Sequence, residues 1–257
     1  MKIIFLGTGG AFATDDYNYN SNLLIYNNEN DMLLYDAGFD IKNSLNSLNI
    51  SVDNISNIFI SHLHGDHAGG VEYIGFKQMF DSNSIRKINL ISTKEILEKG
   101  WKQSWSGSME DINIVATLET YFNTVYLDEN EYFYFNSIKI ELIKNTHVVT
   151  NKTKLPSYGI AFSSTKKIYI SGDTSFEINK LKLFFDYDIL FHECSFSKET
   201  SPVHTSFNDL KTLPNTVKKK MWLYHYTLDE QTLNDIKKLA EINGFAGVVD
   251  RGQEFTF

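Results

Sequence analysis

An α/β fold in one domain, residues 1–257, is the architecture this chain leads one to expect. Short runs rich in β-branched and aromatic residues alternate with stretches of helical spacing along its whole length. Several apolar runs end on a histidine, aspartate or glutamate. No linker, repeat or low-complexity tract divides the chain, and only three prolines occur. A length of 257 residues suits one large core.

In order, residues 1–6, 22–27 and 32–35 read as strands. Residues 39–48 read as a helix, and the apolar run 55–60 as the next strand. Val71, Ile74 and Gln78 give residues 67–80 a helical spacing, followed by a strand at 88–92 and a helix at 93–101. Residues 137–144, 157–163 and 167–171 are further strands, with Lys166-Lys167 at a hairpin turn. Two buried runs follow at 187–191 and 220–224. Thr227-Leu228-Asp229-Glu230 fits a capping box for a last helix, which Gly244 would stop. His62, Asp173, Glu193 and His225 then all lie at strand ends, where a rigid sheet edge can support a site built from loops.

The chemistry concentrates in Ser61-His62-Leu63-His64-Gly65-Asp66-His67. Three of the seven histidines lie here, directly after the 55–60 strand. On a solvated loop, His62 and His64 would point the same way by strand alternation alone. The Asp66-His67 pair after Gly65 favours convergence on metal ions that accept imidazole nitrogen and carboxylate oxygen, with Gly65 allowing a tight turn. The other four histidines, His147, His192, His204 and His225, each fall in a polar run of their own. Asp36, after an apolar strand and before Gly38, suits a turn.

Composition narrows the classes. A net charge of −8 gives no general attraction for nucleic acid. The apolar run at residues 1–6 is too short for a signal peptide, and no later stretch is long enough to span a bilayer. The single cysteine, Cys194, excludes an internal disulfide and a multi-thiolate zinc cage, and a cytosolic compartment is expected. Cys194 reads as a small filler at a strand end. Gly7-Thr8-Gly9 is no dinucleotide motif, because Phe12 occupies the place of the third glycine and no periodic helix follows. A Ser/His/Glu triad using Ser195 or Ser206 lacks the glycines of a nucleophile elbow.

His62-x-His64-x-Asp66-His67, with Asn145-Thr146-His147, Ser171-Gly172-Asp173-Thr174 and Leu223-Tyr224-His225-Tyr226, resembles the metallo-β-lactamase superfamily. Phe5-Leu6-Gly7-Thr8-Gly9-Gly10 and Leu33-Leu34-Tyr35-Asp36-Ala37-Gly38 resemble its two early motifs. The resemblance implies an αββα sandwich with two zinc ions, manganese being the alternative. His62, His64 and His147 would hold one ion and Asp66, His67 and His225 the other. Asp173 would be shared, as a carboxylate can be between metals about 3.5–4 Å apart. It also implies that Asp36 holds the histidine loop from behind.

His192-Glu193-Cys194-Ser195-Phe196, followed by His204-Thr205-Ser206, is similar to ribonuclease Z and its phosphodiesterase relatives. By that resemblance Glu193 orients His204, which protonates the leaving oxygen, and Asp66 joins them in the catalytic set. His192 reads as structural. Only 25 residues separate His147 from Asp173, room for a loop and two strands but not for the transfer RNA arm of ribonuclease Z. No arginine follows His225-Tyr226-Thr227 closely. Gly69-Gly70-Val71-Glu72, Val203-His204, Leu210-Lys211-Thr212-Leu213-Pro214 and Lys220-Met221-Trp222-Leu223-Tyr224-His225-Tyr226 resemble the compact cyclic-nucleotide phosphodiesterases. Among these are viral enzymes that destroy the cyclic pyrimidine signals of the Pycsar defence. A small nucleotide phosphodiester is therefore the expected substrate, rather than long nucleic acid or membrane. The resemblance also implies a homodimer. A ribonuclease Z-type endonuclease and a thioester or lactam hydrolase stand as alternatives. Lysines 218–220 read as a solvated edge. The aromatics Trp101, Trp105, Tyr121, Phe122, Tyr126, Tyr132, Phe133 and Tyr134 suit core packing, a cover over a base, or a dimer contact.

Overall fold

The structure is a computed structural model that describes residues 1–13, 18–28, 31–81, 86–110, 115–149, 154–197, 201–228 and 231–257. Strands form where apolar, β-branched runs occur: β1 (Lys2–Phe5), β2 (Leu23–Asn28), β3 (Asp31–Tyr35), β4 (Ile55–Phe59), β5 (Asn89–Thr93), β6 (Asn123–Leu127) and β7 (Tyr132–Phe135). They continue with β8 (Ile138–Val149), β9 (Lys154–Ser163), β10 (Lys167–Ile170), β11 (Ile189–Glu193), β12 (Met221–Tyr224), β13 (Gly247–Val248) and β14 (Glu254–Thr256). Chain contacts divide these into two compact units. One comprises Met1–Gly7, Tyr19–Glu129 and Gly252–Thr256; the other comprises Thr8–Asn18, Asn130–Arg251 and Phe257.

The first unit holds a seven-stranded sheet in the order β14-β1-β2-β3-β4-β5-β6. Pairing is antiparallel from β14 to β3 and parallel from β3 to β6. The central strands are apolar on both faces: Leu33, Leu34, Ile58, Phe59 and Leu90 are fully buried, as parallel strands covered on both sides require. The helix Ile41–Ser47 sinks Ile41 and Leu45 into this core. The expected 67–80 helix forms as two pieces, Gly65–Ala68 and Val71–Asp81, which part at Gly69-Gly70.

The second unit repeats the plan in the order β13-β12-β11-β10-β9-β8-β7. Its β7 to β10 pairs are antiparallel and its β10 to β13 pairs parallel. Strand β8 alternates buried and exposed residues, the mark of a sheet with one solvated face. In each unit the chain changes from meander to crossover at one strand, β3 or β10. The carboxyl ends of that strand and of the parallel strands beside it deliver the polar residues, as in open α/β sheets generally.

The last helix, Leu233–Ile242, is capped by Thr232 and Asp235 rather than by the 227–230 run, of which Asp229 and Glu230 lie outside the described residues. Thr232 Oγ1 accepts from the Asp235 N–H, and Asp235 Oδ2 accepts from the Thr232 N–H. The expected stop holds. Gly244 takes φ +82°, its N–H donates to Glu241 O, and the Phe245 N–H donates to Ala240 O. Thr232→Ala is expected to lower stability by about 1 kcal/mol in urea titration.

The aromatic stretch divides. Trp105, Tyr121, Phe122 and Phe133 are buried, so core packing claims half of it, while Tyr126, Tyr132 and Tyr134 are exposed. Nor are lysines 218–220 a uniformly solvated run: Lys218 is buried with its Nζ on Lys211 O, and Lys220 Nζ donates to Phe185 O. No described helix is long and apolar enough to cross a membrane.

Candidate metal-dependent active site

In the first unit the site grows from Asp36, one residue beyond β3. Its backbone is left-handed, φ 64°, a strained conformation that aspartate tolerates better than most residues. The carboxylate is fully buried and accepts three hydrogen bonds. Oδ1 takes the Ser61 N–H at 2.7 Å; Oδ2 takes the Ser61 hydroxyl and His67 Nδ1, each at 2.7 Å. Burial pushes this carboxyl up, while His67 and Ser61 pull it down. The expectation that Asp36 supports the histidine loop from behind matches this geometry.

Those bonds set histidine tautomers. The single proton of the Ser61 hydroxyl goes to Asp36, so the 3.0 Å contact between Ser61 Oγ and His62 Nδ1 requires Nδ1 to donate. His67 likewise donates from Nδ1. In both rings Nε2 therefore carries the lone pair that a metal needs. The rings gather closely: His62 lies 4.7 Å from His64 and 4.2 Å from His67 by centroid, and Asp66 Oδ2 lies 3.2 Å from His67 Nε2.

The turn differs from expectation. Gly65 has no positive φ; it begins the short helix Gly65–Ala68, for which His64 is the N-cap. The room a side chain would need there is taken by the Phe39 ring, which a Cβ on Gly65 would meet at 1.9 Å. Gly38 is needed for a similar reason, since its Cβ would meet Asp66 O at 2.2 Å.

In the second unit, His147 occupies a bulge of β8 where the register with β9 shifts between Thr146 and Val148, a device that re-aims a side chain. Its Nδ1 donates to Val203 O at 2.9 Å, so again Nε2 is offered. Asp173 follows β10 through Ser171 and left-handed Gly172, whose N–H donates to Tyr224 Oη at 3.0 Å. Asp173 lies 3.8 Å from His147 Nε2 and 3.4 Å from His225 Nε2. His225, beyond β12, also has a left-handed backbone, φ 60°. It is steadied by the strand-like bridge between Gly9 and Tyr226, with Tyr226 Oη donating to Val249 O and accepting from the Thr8 hydroxyl.

Glu193, at the end of β11, is wholly buried. One oxygen accepts from the Thr174 and Thr205 N–H groups, at 3.0 and 3.1 Å, and from His204 Nδ1 at 3.2 Å. The His204 ring lies 5.2 Å from both His147 and His225. His204 keeps 26% of its side chain exposed, unlike the enclosed histidines beside it.

The remaining sequence readings sort cleanly. His192 is buried, donates from Nδ1 to Glu193 O, and is held neutral by its desolvation. Cys194 is a fully buried filler whose thiol burial pushes well up. Ser206 spends its hydroxyl capping the helix Phe207–Lys211, which removes it as a nucleophile. Sequence reasoning missed three supports: the Ser61 hydroxyl, Tyr224 and the Val203 carbonyl. All three had a signal, since Ser61 stands beside His62 and Tyr224 and Val203 stand beside His225 and His204 in the motifs, but no residue pattern pointed to their partners, Asp36, Gly172 and His147.

In each unit, imidazole Nε2 atoms backed by carboxylate, hydroxyl or carbonyl groups lie near a further carboxylate, donor types that a borderline divalent ion accepts. A family profile described as Anti-Pycsar protein Apyc1 matches residues 1–255. The chain belongs to that family. The Anti-Pycsar protein Apyc1 of Paenibacillus harenae is 32% identical over 235 residues, covering 90% of this chain and 92% of that one. Among solved structures, the metallo-β-lactamase fold protein YhfI from Bacillus subtilis superposes with TM-score 0.76 at 16% identity, over 99% of both chains. Zn²⁺-bound PqqB from Methylobacterium extorquens does so with TM-score 0.77 at 12% identity over the full length of both. This anti-Pycsar family member thus has the expected α/β metallo-β-lactamase fold, built on two sheets, and is a metal-dependent hydrolase.

Proposed function

We propose that the chain is a dinuclear-zinc phosphodiesterase that opens cyclic mononucleotides, cCMP and cUMP foremost, to nucleoside monophosphates. The observation carrying this reading is the Glu193–His204 pair, at 3.2 Å. It adds a partly exposed imidazole to the histidine set, held by a buried carboxylate. A thioester hydrolase, whose thiolate departs unprotonated, has less need of such an acid than a diester with an alkoxide leaving group. The family's anti-Pycsar description supports the substrate class.

In this reading His62, His64 and His147 would hold one ion and Asp66, His67 and His225 the second, and Asp173 would be available to both. Bound zinc would lower the pKa of water from about 15.7 toward 7 and draw charge from the phosphoryl oxygens. His204 hydrogen-bonds the scissile ribose oxygen through Nε2. As water adds to phosphorus and the P–O bond breaks, the Nε2 proton passes to that oxygen, while Glu193 stabilises the cationic ring before transfer. Asp66 accepts a hydrogen bond from the attacking water. The two units act as one catalytic domain, in a cytosolic homodimer; a monomer by light scattering at micromolar concentration removes the dimer.

The test is a panel of cyclic mononucleotides, cyclic dinucleotides and precursor transfer RNA, assayed with zinc, manganese or neither. Cyclic pyrimidines are expected to give monophosphates, with activity lost after chelation and regained with zinc. Trimming of the transfer RNA with cyclic nucleotides left intact sinks the reading.

A further inference from the structure

Phe39 is a large apolar side chain with 74% of its surface exposed, on a backbone anchored at each neighbouring residue. Its N–H donates to Gly65 O at 3.1 Å. On either side, the Gly38 N–H donates to Asn22 Oδ1 and Asp40 Oδ2 accepts from the Asn20 N–H, both at 2.9 Å. The ring lies over Gly65 and Gly69, where added Cβ atoms would sit 1.9 and 2.3 Å from it. Both glycines flank or belong to the short helix that carries Asp66 and His67, and His64 is that helix's N-cap.

Two glycines clear space for a ring that gains little burial in return. The ring thus lies against the helix that carries Asp66 and His67 while most of its surface stays open to solvent. An open aromatic face beside the loop of candidate metal ligands is the element that stacks a planar heterocycle. Resting on the phosphodiesterase reading above, we propose that Phe39 is the stacking platform for the nucleobase of the substrate and so a determinant of specificity. Every base has a π face, so Phe39 favours nucleotides over other diesters without selecting strongly among bases.

The test compares wild type with Phe39→Ala, Phe39→Leu and Phe39→Trp on cCMP and on a base-free ribose 3′,5′-cyclic phosphate. Phe39→Ala and Phe39→Leu are expected to raise KM for cCMP about ten-fold, or about 1.4 kcal/mol, with kcat within about two-fold. Phe39→Trp should restore KM, and the zinc-to-protein ratio should not change. The base-free substrate should show the same KM in all four proteins. Equal losses on both substrates, or lost zinc, would mean that the ring merely props the metal loop. A changed oligomeric state with unchanged KM would make it a contact for a second copy. Either result overturns the proposal, as does an unaltered KM for cCMP. If wild type turns over no cyclic nucleotide, the phosphodiesterase reading fails separately. Calorimetric titration with CMP then decides the stacking question, with weaker binding to Phe39→Ala expected and equal binding overturning it.

Discussion

His204→Ala is expected to keep its metals and lose about 10²–10⁴-fold in kcat on a cyclic nucleotide. The geometry gives the reason. His204, like His62, His67 and His147, donates through Nδ1, in its case to buried Glu193; it differs from His147 and His225 beside it in keeping 26% of its side chain exposed. Its remaining exposure suits a residue that meets substrate. A leaving group that needs no proton separates the roles: with a p-nitrophenyl diester, the loss should shrink to a few-fold. Glu193→Gln should fall between, since an amide still accepts the Thr174 and Thr205 N–H bonds but cannot stabilise a cationic imidazole. Zinc content of the His204 variant decides whether this histidine belongs instead with the ligands. Loss of an ion there would remove it from the acid role.

Asp36→Ala is expected to weaken metal binding about 10–100-fold and to cost roughly 2–5 kcal/mol of stability. The variant strands the Ser61 N–H, the Ser61 hydroxyl and His67 Nδ1 in a fully buried pocket. It also places alanine at φ 64°, where aspartate and asparagine are better tolerated. Asp36→Asn separates the terms: it keeps the backbone preference and one acceptor oxygen while removing the charge. The asparagine variant should recover part of the stability but little of the metal affinity. Chelator competition and urea unfolding measure the two quantities. Unchanged metal affinity in both variants would show that Asp36 is only a turn residue.

Strands and helices with clear apolar periodicity were legible from residues alone. β3, β4, β10, β11 and β12 fall where the runs predict them, and the polar residues at their ends follow. β6 and β7 were not legible, because Asn123, Tyr126, Tyr132 and Tyr134 face solvent and interrupt the apolar pattern at the sheet edges. The misplaced helix cap has a similar origin. Thr227 and Thr232 carry equivalent local signals, and the position of Ile236 and Ala240 in the core selects the second.

Gly65 shows the limit most clearly. As a letter between His64 and Asp66 it reads as a tight turn, but its backbone has no positive φ and the space beside it is taken by Phe39, distant in sequence. The donor types were legible in the chain, because ligation and acid catalysis demand particular atoms and those residues appear in clustered motifs. Which nitrogen each histidine presents was not. That choice belongs to partners arriving from elsewhere: Asp36, 25 residues before Ser61, and Val203, 56 residues beyond His147. A proton settles on one side of an imidazole only when folding puts an acceptor there.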